Sequence, residues 1–161
     1  VGGKLQACMD IATYGWKGGY GEIHPFSVAL MLHTACARPC QHFYDLGSGT
    51  GKVVMLAKLL GLDATGVELL PDRWEMSCKA LDRLRMETGV DCDTGIRFLH
   101  ASALDTDISA ANILFSSNIT WPDELWDGVV RNATQQMQPG SVIISHKDIT
   151  GPAFEHVGDL R

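Results

Sequence analysis

The octapeptide Asp45-Leu46-Gly47-Ser48-Gly49-Thr50-Gly51-Lys52 follows the short run His42-Phe43-Tyr44, and a lone acid, Glu68, stands sixteen residues beyond Lys52. Glycines at these positions let a chain leave a strand, turn sharply and bring backbone N–H groups against a ligand, because no Cβ blocks the approach or the positive φ values. A helix beginning near Gly51 would aim its N-terminal N–H groups and dipole at a carboxylate or a phosphate. The next strand, Ala64-Thr65-Gly66-Val67-Glu68, ends in an acid suited to accept hydrogen bonds from two ribose hydroxyls. Each bond to a charged acceptor contributes about 1.5–3 kcal/mol. The chemistry these residues suit is recognition of a nucleoside.

The third glycine narrows the ligand. A dinucleotide loop is G-x-G-x-x-G, whereas Gly47, Gly49 and Gly51 form G-x-G-x-G with Asp45 two positions ahead. A phosphate loop would need glycine where Leu46 stands and a hydroxyl where Val53 stands, which argues against ATP. The pattern resembles the first motif of class I methyltransferases. That resemblance implies S-adenosylmethionine as cofactor, with the loop cradling its amino-acid part and the acid holding its ribose.

The surrounding chain alternates strand and helix. Pro25 opens a helix running to about Ala37, and Pro39 stops it; strands follow near Phe43 and at Ala64–Glu68. A helix from Gly51 to Leu60 closes at Gly61. Another opens at Pro71, with Trp74, Cys78, Leu81 and Leu84 forming its apolar stripe, and closes at Gly89. Ile96–His100 and Asn112–Ser116 read as strands, Asp123 to Met137 as a helix, and Ser141–Ser145 as a short buried strand. This order predicts an α/β, Rossmann-like, doubly wound and mostly parallel sheet with helices on both faces, binding ligands outside the carboxyl ends of its strands. The 161 residues read as one domain, with 1–41 an N-terminal segment and helix covering the cofactor and 42–161 the core. The fourteen residues after Lys147 leave little room for two further strands with their turns, and the chain begins at Val1; a fragment, or a fold lacking C-terminal strands, is the expectation.

Composition sets outer bounds. A hydrophobic content of 45% and a charged content of 20% suit a globular domain. No stretch approaches the ~18 apolar residues of a membrane span, and no signal peptide opens the chain, so an intracellular protein is expected. Five cysteines at irregular spacing indicate neither a disulfide framework nor a metal site. A net charge of −6 argues against strong direct nucleic-acid binding by this segment and suits a cationic cofactor or a basic protein substrate. His24, His33 and His42 read as capping, packing or solvent-facing residues; His100 and His146 lie near strand ends without a partner that the sequence names.

Three segments together carry a narrower resemblance. Tyr20-Gly21-Glu22 precedes the helix leading to the glycine loop, and Ser117-Asn118-Ile119-Thr120-Trp121 ends the fourth core strand. Their order resembles the Dot family (disruptor of telomeric silencing), non-SET histone lysine methyltransferases, over roughly Gly19 to Lys147. The resemblance implies that Tyr20, Gly21 and Glu22 fold over the methionine part of the cofactor. It implies too that Asp45, Leu46, Gly47, Ser48, Gly49, Gly51 and Lys52 form the loop, and that Glu68 binds the ribose. Ser102 and Ala103 fall at the adenine contact, where the family has Asp-Phe. Asn118 lies beside the methyl group, and Trp121, where the family has Phe, walls the lysine channel. Ile23 replaces the family's Thr, which removes one side-chain hydrogen bond. A histone or nucleosome substrate and a nuclear location follow from the same resemblance.

Such a reaction needs no strong general base. An aromatic, dry channel beside a sulfonium lowers the pKa of the acceptor amine by desolvation and charge repulsion. Two other readings stay open: a class I methyltransferase acting on a non-histone protein lysine, RNA or a small molecule, and a non-catalytic module that keeps only the fold.

Overall fold

The computed structural model describes residues 23–88 and 94–159 with their side chains, and residues 5–9 as backbone. The elements are β1 (Leu5–Met9), α1 (Pro25–Thr34), β2 (His42–Leu46), α2 (Lys52–Leu59), β3 (Asp63–Glu68), α3 (Pro71–Thr88), β4 (Ile96–His100), β5 (Ile113–Ser116), α4 (Asp123–Gln136), β6 (Val142–Ser145) and β7 (Phe154–Asp159). They form one sheet in the order β4-β3-β2-β5-β6-β1-β7, parallel at every pairing.

Alternation along the central strands sorts their side chains into two cores, as the period of two in an extended chain requires. Phe43, Ile113, Phe115, Val142 and Ile144 face α1, α2 and α3, packing with Val28, Met31, Val54, Ala57 and Leu81. Their neighbours Tyr44, Leu46, Leu114 and Ile143 face α4, packing with Trp126, Val129 and Ala133. The doubly wound expectation is met. Of the expected apolar stripe on α3, Leu81 is buried, whereas Trp74, Cys78 and Leu84 are half-buried.

Three local differences have physical causes. First, α1 ends at Thr34 rather than near Ala37. Cys36 adopts φ +51°, and the Ala37 N–H reaches the Leu32 carbonyl at 2.9 Å, so a left-handed cap closes the helix before Pro39 is reached. Second, where little room for two further strands was expected, the described residues hold one strand, β7, after β6. Third, β1 lies between β6 and β7, a place no sequence signal assigned to it. Its residues Leu-Gln-Ala-Cys-Met contain no β-branched side chain, so its extended form comes from pairing along the open edge of β6 rather than from propensity.

Candidate cofactor and acceptor site

A cavity of about 370 Å³ opens where the carboxyl ends of β2, β3, β4 and β5 meet, which is where a doubly wound sheet receives ligands. Asp45 and Glu68 share the sheet face of Phe43 and Ala64 at the ends of β2 and β3, with Glu68 two residues beyond Gly66, the register partner of Asp45.

The glycine loop is held from β3. The N–H groups of Gly47 and Ser48 both donate to the Val67 carbonyl, at 2.8 and 3.0 Å. Glu68 completes the anchorage: Oε2 accepts the Gly49 N–H at 2.8 Å, and Oε1 accepts the Leu70 N–H at 2.9 Å. Each carboxylate oxygen retains a further lone pair. Glu68 therefore braces the loop and still presents acceptors to the cavity, a double duty that spacing alone did not reveal.

The glycines serve different ends. Gly47 and Gly51 both have φ +81°, a conformation costly for other residues. A Cβ on Gly47 would lie 2.9 Å from Trp121 Cζ2, so the indole rests directly on the loop. A Cβ on Gly51 would strike the edge of the Phe98 ring and lie 2.9 Å from Ser77 Cβ, and one on Gly66 would lie 2.6 Å from Phe98 Cδ1 and 2.8 Å from Ser48 Oγ. Phe98 thus fills the space behind the loop that these two glycines leave. Gly51 begins α2 without any side-chain cap, so the first N–H groups of that helix carry none of the usual capping oxygen.

Electrostatics centre on the two acids. Asp45 is 2% exposed and Glu68 5%. Burial, with the Glu68 charge beside it, pushes the Asp45 carboxyl up to about 8. A neutral Asp45 is the state expected at pH 7 without a cation in the cavity.

Of the residues singled out from sequence, Asp45, Gly47, Ser48, Gly49, Lys52, Glu68, Ser102, Ala103 and Trp121 line the cavity together. Leu46 does not: it is fully buried on the α4 side of the sheet. Gly51 does not either, being packed under Phe98. Asn118 is likewise absent from the lining and fully buried. Its Oδ1 accepts the N–H groups of His146 and Lys147 at 3.0 and 3.1 Å, while its Nδ2 is buried without a partner. Tyr20, Gly21 and Glu22 lie outside the described residues.

Sequence reasoning passed over several lining residues. Leu69 and Leu70, directly after Glu68, give the cavity an apolar flank that is about half exposed, and Arg73 adds a cation from the first turn of α3. Their place immediately behind the acid was the available signal. His100 acquires its partners: Nε2 lies 3.0 Å from the Leu69 carbonyl, and the ring stacks on Trp74 with centroids 5.4 Å apart. It braces the Leu69 turn. His24 caps α1 through Nδ1, which accepts the Phe26 N–H at 3.3 Å.

The cavity suits a nucleoside carrying an anionic tail. Glu68 offers acceptors to a diol, and Leu69, Leu70, Ala101 and Ala103 offer apolar surface to a base, while Ser48 Oγ is buried beside Gly66 without a partner. Among the described residues, no group of three or more His, Cys, Asp or Glu side chains is arranged to hold a metal ion, and no helix is long and apolar enough to cross a membrane.

Comparisons with known proteins agree with this geometry. The chain is 25% identical to an RNA methyltransferase from Salinibacter ruber, solved with S-adenosyl-L-homocysteine, with a TM-score of 0.65 over 83% of this chain and 78% of that one. A S-adenosylmethionine-dependent methyltransferase from Geobacter sulfurreducens, also solved with S-adenosyl-L-homocysteine, is 22% identical with a TM-score of 0.60 over 76% and 48% of the two chains, and shows the same fold. A Dictyostelium discoideum histone-lysine N-methyltransferase, H3 lysine-79 specific, is 27% identical over 144 residues, covering 84% of this chain and 8% of that protein's length. Residues 13–158 match the family described as histone methylation protein DOT1. With the class I methyltransferase fold, its glycine loop and the buried Glu68 behind it in place across that span, the chain belongs to the DOT1 histone methylation family.

Proposed function

We propose that this chain binds S-adenosylmethionine in the cavity and transfers its methyl group to a lysine of a basic protein, with histone, free or in the nucleosome, as the substrate class. The observation that carries the reading is the Glu68–Gly49 hydrogen bond at 2.8 Å, which welds the ribose acceptor to the loop that receives the amino-acid end. Family membership and the similarity to a histone H3 lysine-79 methyltransferase support a histone lysine as the acceptor. The net charge of −6 is complementary to a basic protein, and a histone substrate entails a nuclear location.

S-adenosylmethionine supplies an activated methyl carbon on a sulfonium, so the chain's own task is placement and exclusion of water. Asp45, Gly47, Ser48 and Gly49 hold the amino-acid end, with Lys52 beside them, and Leu46 and Gly51 shape the loop from behind. Glu68 holds the ribose; Ser102, Ala103, Leu69 and Leu70 take the base. Tyr20, Gly21 and Glu22 are assigned to the methionine part by resemblance. Trp121 forms the acceptor's aromatic wall, and Asn118 supports it. Positioning of this kind contributes on the order of 7–11 kcal/mol. The acceptor lysine must also lose its proton, which costs about 4–5 kcal/mol at neutral pH, and a desolvated aromatic channel reduces that cost.

Methylation of RNA is the second reading, favoured by the Salinibacter ruber similarity and opposed by the acidic charge. Isothermal titration with S-adenosylmethionine and S-adenosylhomocysteine tests the site, with Glu68→Ala and Gly49→Arg as controls. Micromolar binding abolished in both variants is expected; no binding by the unsubstituted chain overturns the reading. Methyl transfer to nucleosomes and free histones but not to RNA separates the two acceptors.

A further inference from the structure

The segment between β5 and α4, residues 117–122, belongs to no helix or strand, yet it presents the indole that rests on Gly47. Something outside it must hold Trp121 in register. Within the segment, the Trp121 N–H donates to the Asn118 carbonyl at 3.1 Å. From outside, the Lys147 ammonium donates to the Trp121 carbonyl at 2.6 Å and to Asp123 Oδ1 at 2.5 Å. The main chain answers in the opposite direction, since the Lys147 and His146 N–H groups both donate to Asn118 Oδ1. Ser145 Oγ donates to the Lys147 carbonyl at 2.7 Å and fixes the backbone from which the lysine extends. One residue further on, the Asp148 carbonyl accepts Trp126 Nε1 at 3.2 Å, and the two indoles meet edge to face with centroids 6.4 Å apart.

From this reciprocal clamp we propose that Lys147 is a positioning residue for the aromatic wall of the site: its ammonium ties Trp121 to the end of β6 and so seats the indole over the glycine loop. The Lys147 side chain is 23% exposed, whereas Asp123 is 86% exposed. A pair with so exposed a carboxylate adds little stability. The more buried contact, with the Trp121 carbonyl, is the one that sets geometry. Lys147 does not line the cavity; it acts through Trp121. The role in turnover rests on the methyl-transfer reading above, whereas the seating of Trp121 does not.

The test compares Lys147→Met, which keeps the stem and removes the ammonium, with Lys147→Arg, which keeps a cationic donor. Acrylamide quenching of tryptophan emission is measured in the unsubstituted chain and in a Trp121→Phe background, so that the Trp121 contribution is obtained by difference. Lys147→Met should raise quenching of Trp121 at least twofold, Lys147→Arg should restore most of the protection, and in the Trp121→Phe background the lysine substitution should change nothing. Turnover at saturating S-adenosylmethionine should fall at least tenfold in Lys147→Met, with S-adenosylhomocysteine affinity changed less than threefold, and should recover in Lys147→Arg. Should Lys147→Met fail to fold, Lys147→Gln, which removes the cation and shortens the reach to the Trp121 carbonyl while keeping a polar end, should raise Trp121 quenching in the same direction. Unchanged Trp121 quenching in the folded Lys147→Met chain, or in Lys147→Gln where that chain does not fold, overturns the proposal. Absence of S-adenosylhomocysteine binding by the unsubstituted chain sinks the methyl-transfer reading and leaves the quenching result to decide the role of Lys147.

Discussion

Trp121 lies against Gly47 so closely that a Cβ on the glycine would stand 2.9 Å from indole Cζ2. The contact joins two segments more than seventy positions apart and makes the aromatic wall and the cofactor loop one surface. Gly47→Ala faces two penalties, the left-handed backbone at φ +81° and the collision with the indole. The backbone term alone is about 1–2 kcal/mol. Urea unfolding should show a larger loss than this in the native background, falling toward it when Trp121→Ala is introduced as well. An identical loss in both backgrounds would mean that the indole gives way freely.

Gly51→Ala should damage folding more than ligand recognition. Gly51 is outside the cavity lining, and its Cβ would enter the space of Phe98 and Ser77. Overpacking of this kind costs about 1–3 kcal/mol, to which the strained backbone adds. The melting temperature should drop by several degrees. Phe98→Leu in the same chain should recover part of the loss.

Glu68 has an effect on the loop that can be read without any ligand. Its two oxygens hold the Gly49 and Leu70 N–H groups, so Glu68→Ala should speed hydrogen exchange at both amides while leaving β2 protected. Affinity for S-adenosylmethionine should fall by about 10–100-fold, the equivalent of one charge-assisted hydrogen bond. Glu68→Gln presents an amide N–H₂ to one of two N–H donors and should recover no more than half of the loss in free energy.

The raised pKa of Asp45 gives a pH dependence with a definite sign. Its carboxyl titrates near 8 in the folded chain against 3.8 without the fold, so between these values the folded state holds the extra proton. Stability therefore falls as pH rises through that window, and the decline levels off above about 8. Asp45→Asn should flatten the profile. A cation entering the cavity favours the ionised form, so binding of S-adenosylmethionine at pH 7 should release up to about one proton. Titration calorimetry in buffers of different ionisation enthalpy measures that release directly.

Much of the site was legible from local pattern. A glycine loop after a short strand, and an acid closing the next strand, have meaning within a window of some two dozen residues, since φ freedom and strand length are local properties. The same holds for helices opened by Pro25, Pro71 and Asp123 and for the alternation that implies a parallel sheet. Trp121 lines the cavity, whereas Asn118 is buried outside the lining: its carboxamide oxygen is taken by the His146 and Lys147 N–H groups in the turn after β6, nearly thirty residues away.

What the sequence by itself determined is the fold class, the loop and the acid, because each is written in residue types a few positions apart. The tertiary structure alone decided that Phe98 sits over Gly51 and Gly66, that Glu68 braces Gly49, that β1 pairs with the edge of β6, and that Lys147 reaches Trp121. Each of these depends on the register in which distant strands pair, and register is a property of the whole sheet, set only when both cores are packed.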